Sequence, residues 1–169
     1  NDLSRRSCME KDIIMEYKQF DANLHKENDQ SGKDKALEIL LDRLPCTLLP
    51  IICEGKFGVD IMVIDWDNDI NFYVEVEVRK SWHRKNFPFE CLYIVRRKGK
   101  FAKLEKPTLF FVLNSDCSSF VTCTSNDVNM AVLQEHPNKE IQSGEYFYRV
   151  PLESIKHNDL SEVLTQLKE

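Results

Sequence analysis

Met9, Ile13, Tyr17, Phe20 and Leu24 recur at helical spacing, which predicts an amphipathic helix over about 9–27. Asp29-Gln30-Ser31-Gly32 reads as a break. A second helix is expected from Asp34, with Leu37, Leu40, Leu41 and Leu44 on one stripe and Pro45 as its stop. The apolar period then shortens. Residues 47–53 read as a short strand, in which Pro50 requires an edge or an irregularity because it has no N–H to give. Residues 59–65 and 70–78 predict two strands around the turn Trp66-Asp67-Asn68-Asp69, since Asp and Asn tolerate left-handed backbone and bond it with their own side chains. Further on, 89–96 is β-like, Lys98-Gly99 reads as a turn and 101–104 as an antiparallel return. Residues 109–114 and 119–124 predict a hairpin around Ser115-Asp116. Asp127 is expected to cap a helix running toward Gln134, 146–150 to be a last strand and 160–167 a closing helix.

These elements predict a single α/β domain over 1–169 with a central mixed β-sheet flanked by helices. A chain of 169 residues, 42% hydrophobic and 30% charged, is long enough to bury a core and too apolar for disorder. Its apolar runs fall far short of the roughly 20 residues a membrane-spanning helix needs. The opening Asn1-Asp2-Leu3-Ser4-Arg5-Arg6 does not resemble a secretory signal. Six cysteines show no Cys-x-x-Cys pair and no His at zinc-finger spacing, and Cys53, Cys91 and Cys123 sit in apolar segments. Reduced thiols in a cytoplasmic or nuclear-type compartment are therefore expected, in a protein that is not secreted.

The net charge of −5 hides a sharp division. Between Arg79 and Lys106 lie ten basic residues against Glu90 and Glu105, so this stretch carries +8 and the rest of the chain −13. Such a field can hold a polyanion on one face while the acidic part keeps the protein soluble.

Candidate chemistry sits just before that stretch. In the strand over 70–78, alternation places Glu75, Glu77 and then Arg79 on one face and Val74, Val76 and Val78 on the other. Folding the hairpin about Asp67-Asn68 sets Asp60 opposite Glu75, and folding it about Asn68-Asp69 sets Asp60 opposite Glu77. Both registers keep the carboxylates on one face. Facing carboxylates repel unless a cation lies between them, and hard oxygen ligands suit Mg²⁺ or Mn²⁺.

A Gly-x-Asp (Gly58-Val59-Asp60) at the start of one strand, followed by a short turn and Glu75-Val76-Glu77 in the next, resembles the PD-(D/E)XK nuclease superfamily. The resemblance covers about 34–80 and, more loosely, 109–114. It implies a restriction-endonuclease-like fold with a nuclease-like core over about 34–135, and a metal-dependent nuclease acting on DNA. It implies Asp60 and Glu75 as metal ligands, with Glu38 on the preceding helix assisting. Glu77 then falls where the family usually has Lys. An alternative alignment takes Glu77 as the second acid and Arg79 as the basic residue, and Lys80 is placed to reach in from the strand end. The family commonly has a helix over 85–106, where this sequence suggests extra β structure.

Within the same frame, Arg79, Lys80, Arg84 and Lys85 would surround the phosphodiester, and Arg96, Arg97, Lys98 and Lys100 would hold the flanking backbone. Trp82 and Phe87 are candidates for stacking on unpaired bases, and His83 for a phosphate contact or a general-acid role. The partner implied is nucleic acid rather than a membrane, with a homodimer or larger complex left open. The competing expectation, prompted by the absent lysine, is a nuclease-like domain that binds nucleic acid or protein and cuts nothing.

Overall fold

The computed structural model describes residues 22–55, 58–136 and 144–168. The long helix α1 (Ala22–Arg43) runs unbroken through Asp29-Gln30-Ser31-Gly32, against expectation. Gly32 is where the helix backbone meets the sheet, since an added Cβ would lie 2.5 Å from Val78 Cγ2. Glycine costs a helix about 1 kcal/mol relative to alanine, and the close approach it permits offsets that cost. Beyond it, Ala36, Leu40 and Leu44 are buried one helical turn apart, and Pro45 follows the last turn. Most of the helix expected over 9–27 lies outside the described residues, and its end belongs to α1.

Three strands follow as an antiparallel meander: β1 (Leu49–Ile52), β2 (Ile61–Ile64) and β3 (Ile70–Val78). β1 is the edge of the sheet, the position Pro50 demands. The β2–β3 turn closes with Asp65 N donating to Asp69 O, and Asn68 takes a φ of 62°. A bulge between Val63 and Ile64 then shifts the register, so that Ile61 pairs with Val74. One residue earlier, Asp60 stands at the level of Glu75, the first of the two expected registers.

β5 (Thr108–Leu113) pairs parallel with β3, and β6 (Phe120–Thr124) pairs antiparallel with β5. The short strand β9 (Lys156–His157) completes a six-stranded mixed sheet in the order β1-β2-β3-β5-β6-β9. One face of it, with Val74, Val76, Leu109 and Phe111, packs under α1 and the closing helix α3 (Ser161–Lys168).

The other face is covered differently. β4 (Cys91–Val95), β7 (Val132–His136) and β8 (Glu145–Pro151) form a separate three-stranded sheet in the order β4-β8-β7, rather than an extension of the first. Leu92, Ile94 and Val150 join Tyr73, Phe110, Val112 and Val121 in the core between the sheets. Residues expected to form a turn and a returning strand instead make a 3-10 helix, Arg96–Lys103. Phe101 and Ala102 anchor it by burial, and Thr108 Oγ1 and Asn129 Nδ2 donate to their carbonyls at 2.6 and 2.9 Å. The helix near Asp127 is α2 (Ser125–Met130), capped by Thr124 with Asp127 reciprocating from its third position. It is shorter than expected, because 132–136 is taken by β7. The five described cysteines form no disulfide. No helix among the described residues is long and apolar enough to cross a membrane.

Candidate active site

β2 ends at Ile61 while β3 runs on, so the two strands part beside Asp60. The N–H groups of Tyr73 and Arg79 point to β5, bonding Pro107 O and Leu113 O. By alternation the Val76 N–H points the other way, into the gap where β2 has left the ladder. Asp60 Oδ2 accepts it at 2.8 Å. The aspartate thus satisfies a backbone donor that would otherwise be buried without a ladder partner.

Asp60 and Glu75 are 4% and 7% exposed, too buried for carboxylates to stay charged without compensation. Cations supply it from two directions. Lys33 on α1 brings Nζ to 3.2 Å from Asp60 Oδ1. Lys98 on the 3-10 helix lies 3.5 Å from Glu75 Oε1 and 3.7 Å from Glu77 Oε2. Arg79 donates Nη2 to Glu77 Oε1 at 2.7 Å and to Tyr93 O at 2.8 Å, tying the end of β3 to β4. Burial pushes the Glu77 carboxyl up, but the Lys98 ammonium and the guanidinium groups of Arg79 and Arg97 outweigh it and hold its pKa below the ordinary value. Burial likewise works against the Lys98 ammonium, and Glu77, Glu75 and Asp60 overcome it, so that its pKa is raised. Asp60, Glu75 and Glu77 therefore all act on one lysine.

That lysine enters from an element the sequence concealed. Gly99 lets the 3-10 helix lie against β8, since a Cβ there would meet the Tyr148 ring at 2.6 Å. Lys98, read from sequence as a contact for flanking backbone, is instead turned in onto the acids. Lys80, the residue expected to reach in, is exposed. Glu38 is also exposed and pairs with Lys35 at 3.3 Å along its own helix, so the α1 side chain that meets the acids is Lys33. Trp82 is not a stacking platform: it is 1% exposed, donates Nε1 to Asn86 O and packs edge-on against Phe87. Arg84 and Lys85 are exposed on a loop that Asn114 holds by donating to Arg84 O. Arg96, Arg97 and Lys100 are exposed on the 3-10 helix around Lys98, with Arg96 over the Tyr146 ring and Lys100 over Phe101.

Asp60 and Glu75 present two hard oxygen ligands across the strand fork, and a magnesium-type ion takes one or two carboxylates from protein while keeping water and phosphate for the rest of its shell. Glu77 is committed to Arg79 and Lys98, so a cage of three carboxylates does not form. Among the described residues, the trio of acids whose oxygens approach within 4.8 Å of one another is Asp65, Asp67 and Asp69, at the far end of β2. There Asp65 Oδ1 already accepts from the backbone of Asp67 and Asp69, and Oδ2 from Asn71, as the turn requires.

Compared with protein-family models, curated proteins and solved structures, the chain matches none of them.

Proposed function

We propose that this protein is a divalent-metal-dependent nuclease of the PD-(D/E)XK type, with DNA as the favoured substrate. The observation that carries the reading is the meeting of Asp60, Glu75 and Glu77 with Lys98 where β2 and β3 part. Those residue types, in that order along neighbouring strands, are the ones the resemblance implies, and the lysine missing from the strand arrives from the 3-10 helix. A cation held by Asp60 and Glu75 would supply an acidified water and a counter-charge for the phosphorane-like transition state.

The protein's own groups account for the rest. Lys98, kept charged by three carboxylates, offsets negative charge on the scissile phosphate or orients the attacking water. Glu77, fixed by Arg79, holds Lys98 in place. Arg96, Arg97 and Lys100 flank it on the same element and grip the backbone on either side, giving salt-dependent affinity without sequence preference. Asp60→Ala and Glu75→Ala are expected to abolish Mg²⁺-dependent DNA cleavage while the circular-dichroism spectrum stays native. Cleavage at the wild-type level by both variants removes the assignment.

A second reading is favoured by a specific observation: each of the three acids already has a cationic partner. On that reading the cluster is structural and the domain binds nucleic acid without cutting. It predicts DNA affinity that weakens with salt and no turnover in Mg²⁺ or Mn²⁺.

A further inference from the structure

We infer that Lys33 is a resident counter-cation that occupies Asp60 in the metal-free protein and competes with the divalent ion for it. The inference rests on the metal-binding reading of Asp60 and Glu75, and it concerns how that site is loaded. Both oxygens of Asp60 are engaged, Oδ2 by the Val76 N–H at 2.8 Å and Oδ1 by Lys33 Nζ at 3.2 Å. The backbone bond is part of the sheet and stays. The lysine is the contact that can yield.

The pair is shielded, with the lysine side chain 13% exposed and the aspartate side chain 5%. Away from water, an ammonium and a divalent ion on one carboxylate repel strongly, because little solvent screens them. Binding of the ion therefore drives the ammonium off Oδ1. Lys33 is not needed to seat its helix, which Gly32 fixes against Val78 and which Ala36, Leu40 and Leu44 hold by burial. Its Cα is consequently rigid, and the exchange is confined to a flexible four-carbon stem that can carry the charge toward solvent or an incoming phosphate. Loading the ion thus costs the Lys33–Asp60 contact.

The test is Mn²⁺ binding, followed through the free-ion electron paramagnetic resonance signal and independent of any cleavage. Wild type, Lys33→Gln, Lys33→Arg and Asp60→Asn are compared after their thermal unfolding shows each to be folded. Lys33→Gln is expected to lower the Mn²⁺ Kd by about tenfold or more, the worth of a charged hydrogen bond no longer opposing the ion. Lys33→Arg keeps the competing charge and stays near the wild-type value, and Asp60→Asn loses the site. Equal Kd values for wild type and Lys33→Gln, with the site still lost in Asp60→Asn, overturn the inference and leave the nuclease reading standing. Absence of binding to both wild type and Lys33→Gln overturns the inference and the metal reading together.

Discussion

Strand β3 separates two environments that differ in kind. Toward α1, Phe72, Val74 and Val76 are packed with Leu109, Phe111 and Leu113 in an apolar layer. Toward the second sheet, Tyr73 begins in an apolar core, but Glu75 and Glu77 run on into a cluster of three acids and three cations. The first face stabilises through contact area, a non-directional term that tolerates many shapes. The second holds together only through specified partners, and losing one leaves another charge buried. Stability is expected to reside in the first face and chemistry in the second, and substitutions can separate the two.

The largest effect is expected from Phe111→Ala. Phe111 is fully buried and stacked on Phe120 at 4.5 Å, and its truncation should cost about 3–5 kcal/mol in denaturant unfolding. Cleavage per folded molecule should be little changed. Lys98→Gln should act chiefly on chemistry, lowering cleavage about 10²–10³-fold per folded molecule, with a smaller loss of stability because Glu75 and Glu77 lose their shared cation. Were Phe111→Ala to abolish cleavage in folded protein, or Lys98→Gln to unfold the domain, the division of labour between the faces would be wrong.

A smaller effect tests how Lys98 is positioned. Gly99→Ala sets a methyl against the Tyr148 ring and should cost about 1–3 kcal/mol, with cleavage reduced as the 3-10 helix shifts. Adding Tyr148→Leu should recover much of both, which a double-mutant cycle measures directly.

The smallest effect contrasts a surface carboxylate with the buried ones. Asp116 accepts from the hydroxyl and the N–H of Ser118, and these bonds hold its pKa below the ordinary value. A depressed pKa means that the unfolded chain takes up the proton first as the pH falls. The contribution is therefore full above about pH 4 and is lost as the pH drops through the folded value. Asp116→Asn should lower the Tm slightly near neutrality and flatten the acid limb, so that the Tm–pH profiles of variant and wild type converge at low pH.

The local features of β3 were legible because they rest on short-range rules. Alternation places Val74 and Val76 opposite Glu75 and Glu77, and the strand occupies the expected residues. Of the two registers the sequence left open for Asp60, the structure takes the one opposite Glu75, and reaches it through a tighter turn and a bulge that counting residues does not reveal. Pro50 likewise announces its edge strand.

Features that depend on distant contacts were not legible. Gly32 reads as a helix breaker by propensity, and only the nearness of Val78 explains why it sits inside a helix. The run Arg96-Arg97-Lys98-Gly99-Lys100 reads as a solvated basic turn. Its conversion to a 3-10 helix depends on burial of Phe101 and Ala102 and on bonds from Thr108 and Asn129. Lys98 could have been suspected from one signal, a lysine close to two apolar residues that must be buried. Lys33 offered no such signal, since its target lies at the β2–β3 fork, 27 residues further along the chain.

The most direct test of the account is anomalous diffraction from crystals of the protein soaked in Mn²⁺. It predicts a peak at the β2–β3 fork within about 2.0–2.6 Å of carboxylate oxygens from both Asp60 and Glu75, with Lys33 withdrawn from Asp60. A fork without a peak, with both lysines still on their carboxylates, would contradict it, as would a peak confined to Asp65, Asp67 and Asp69.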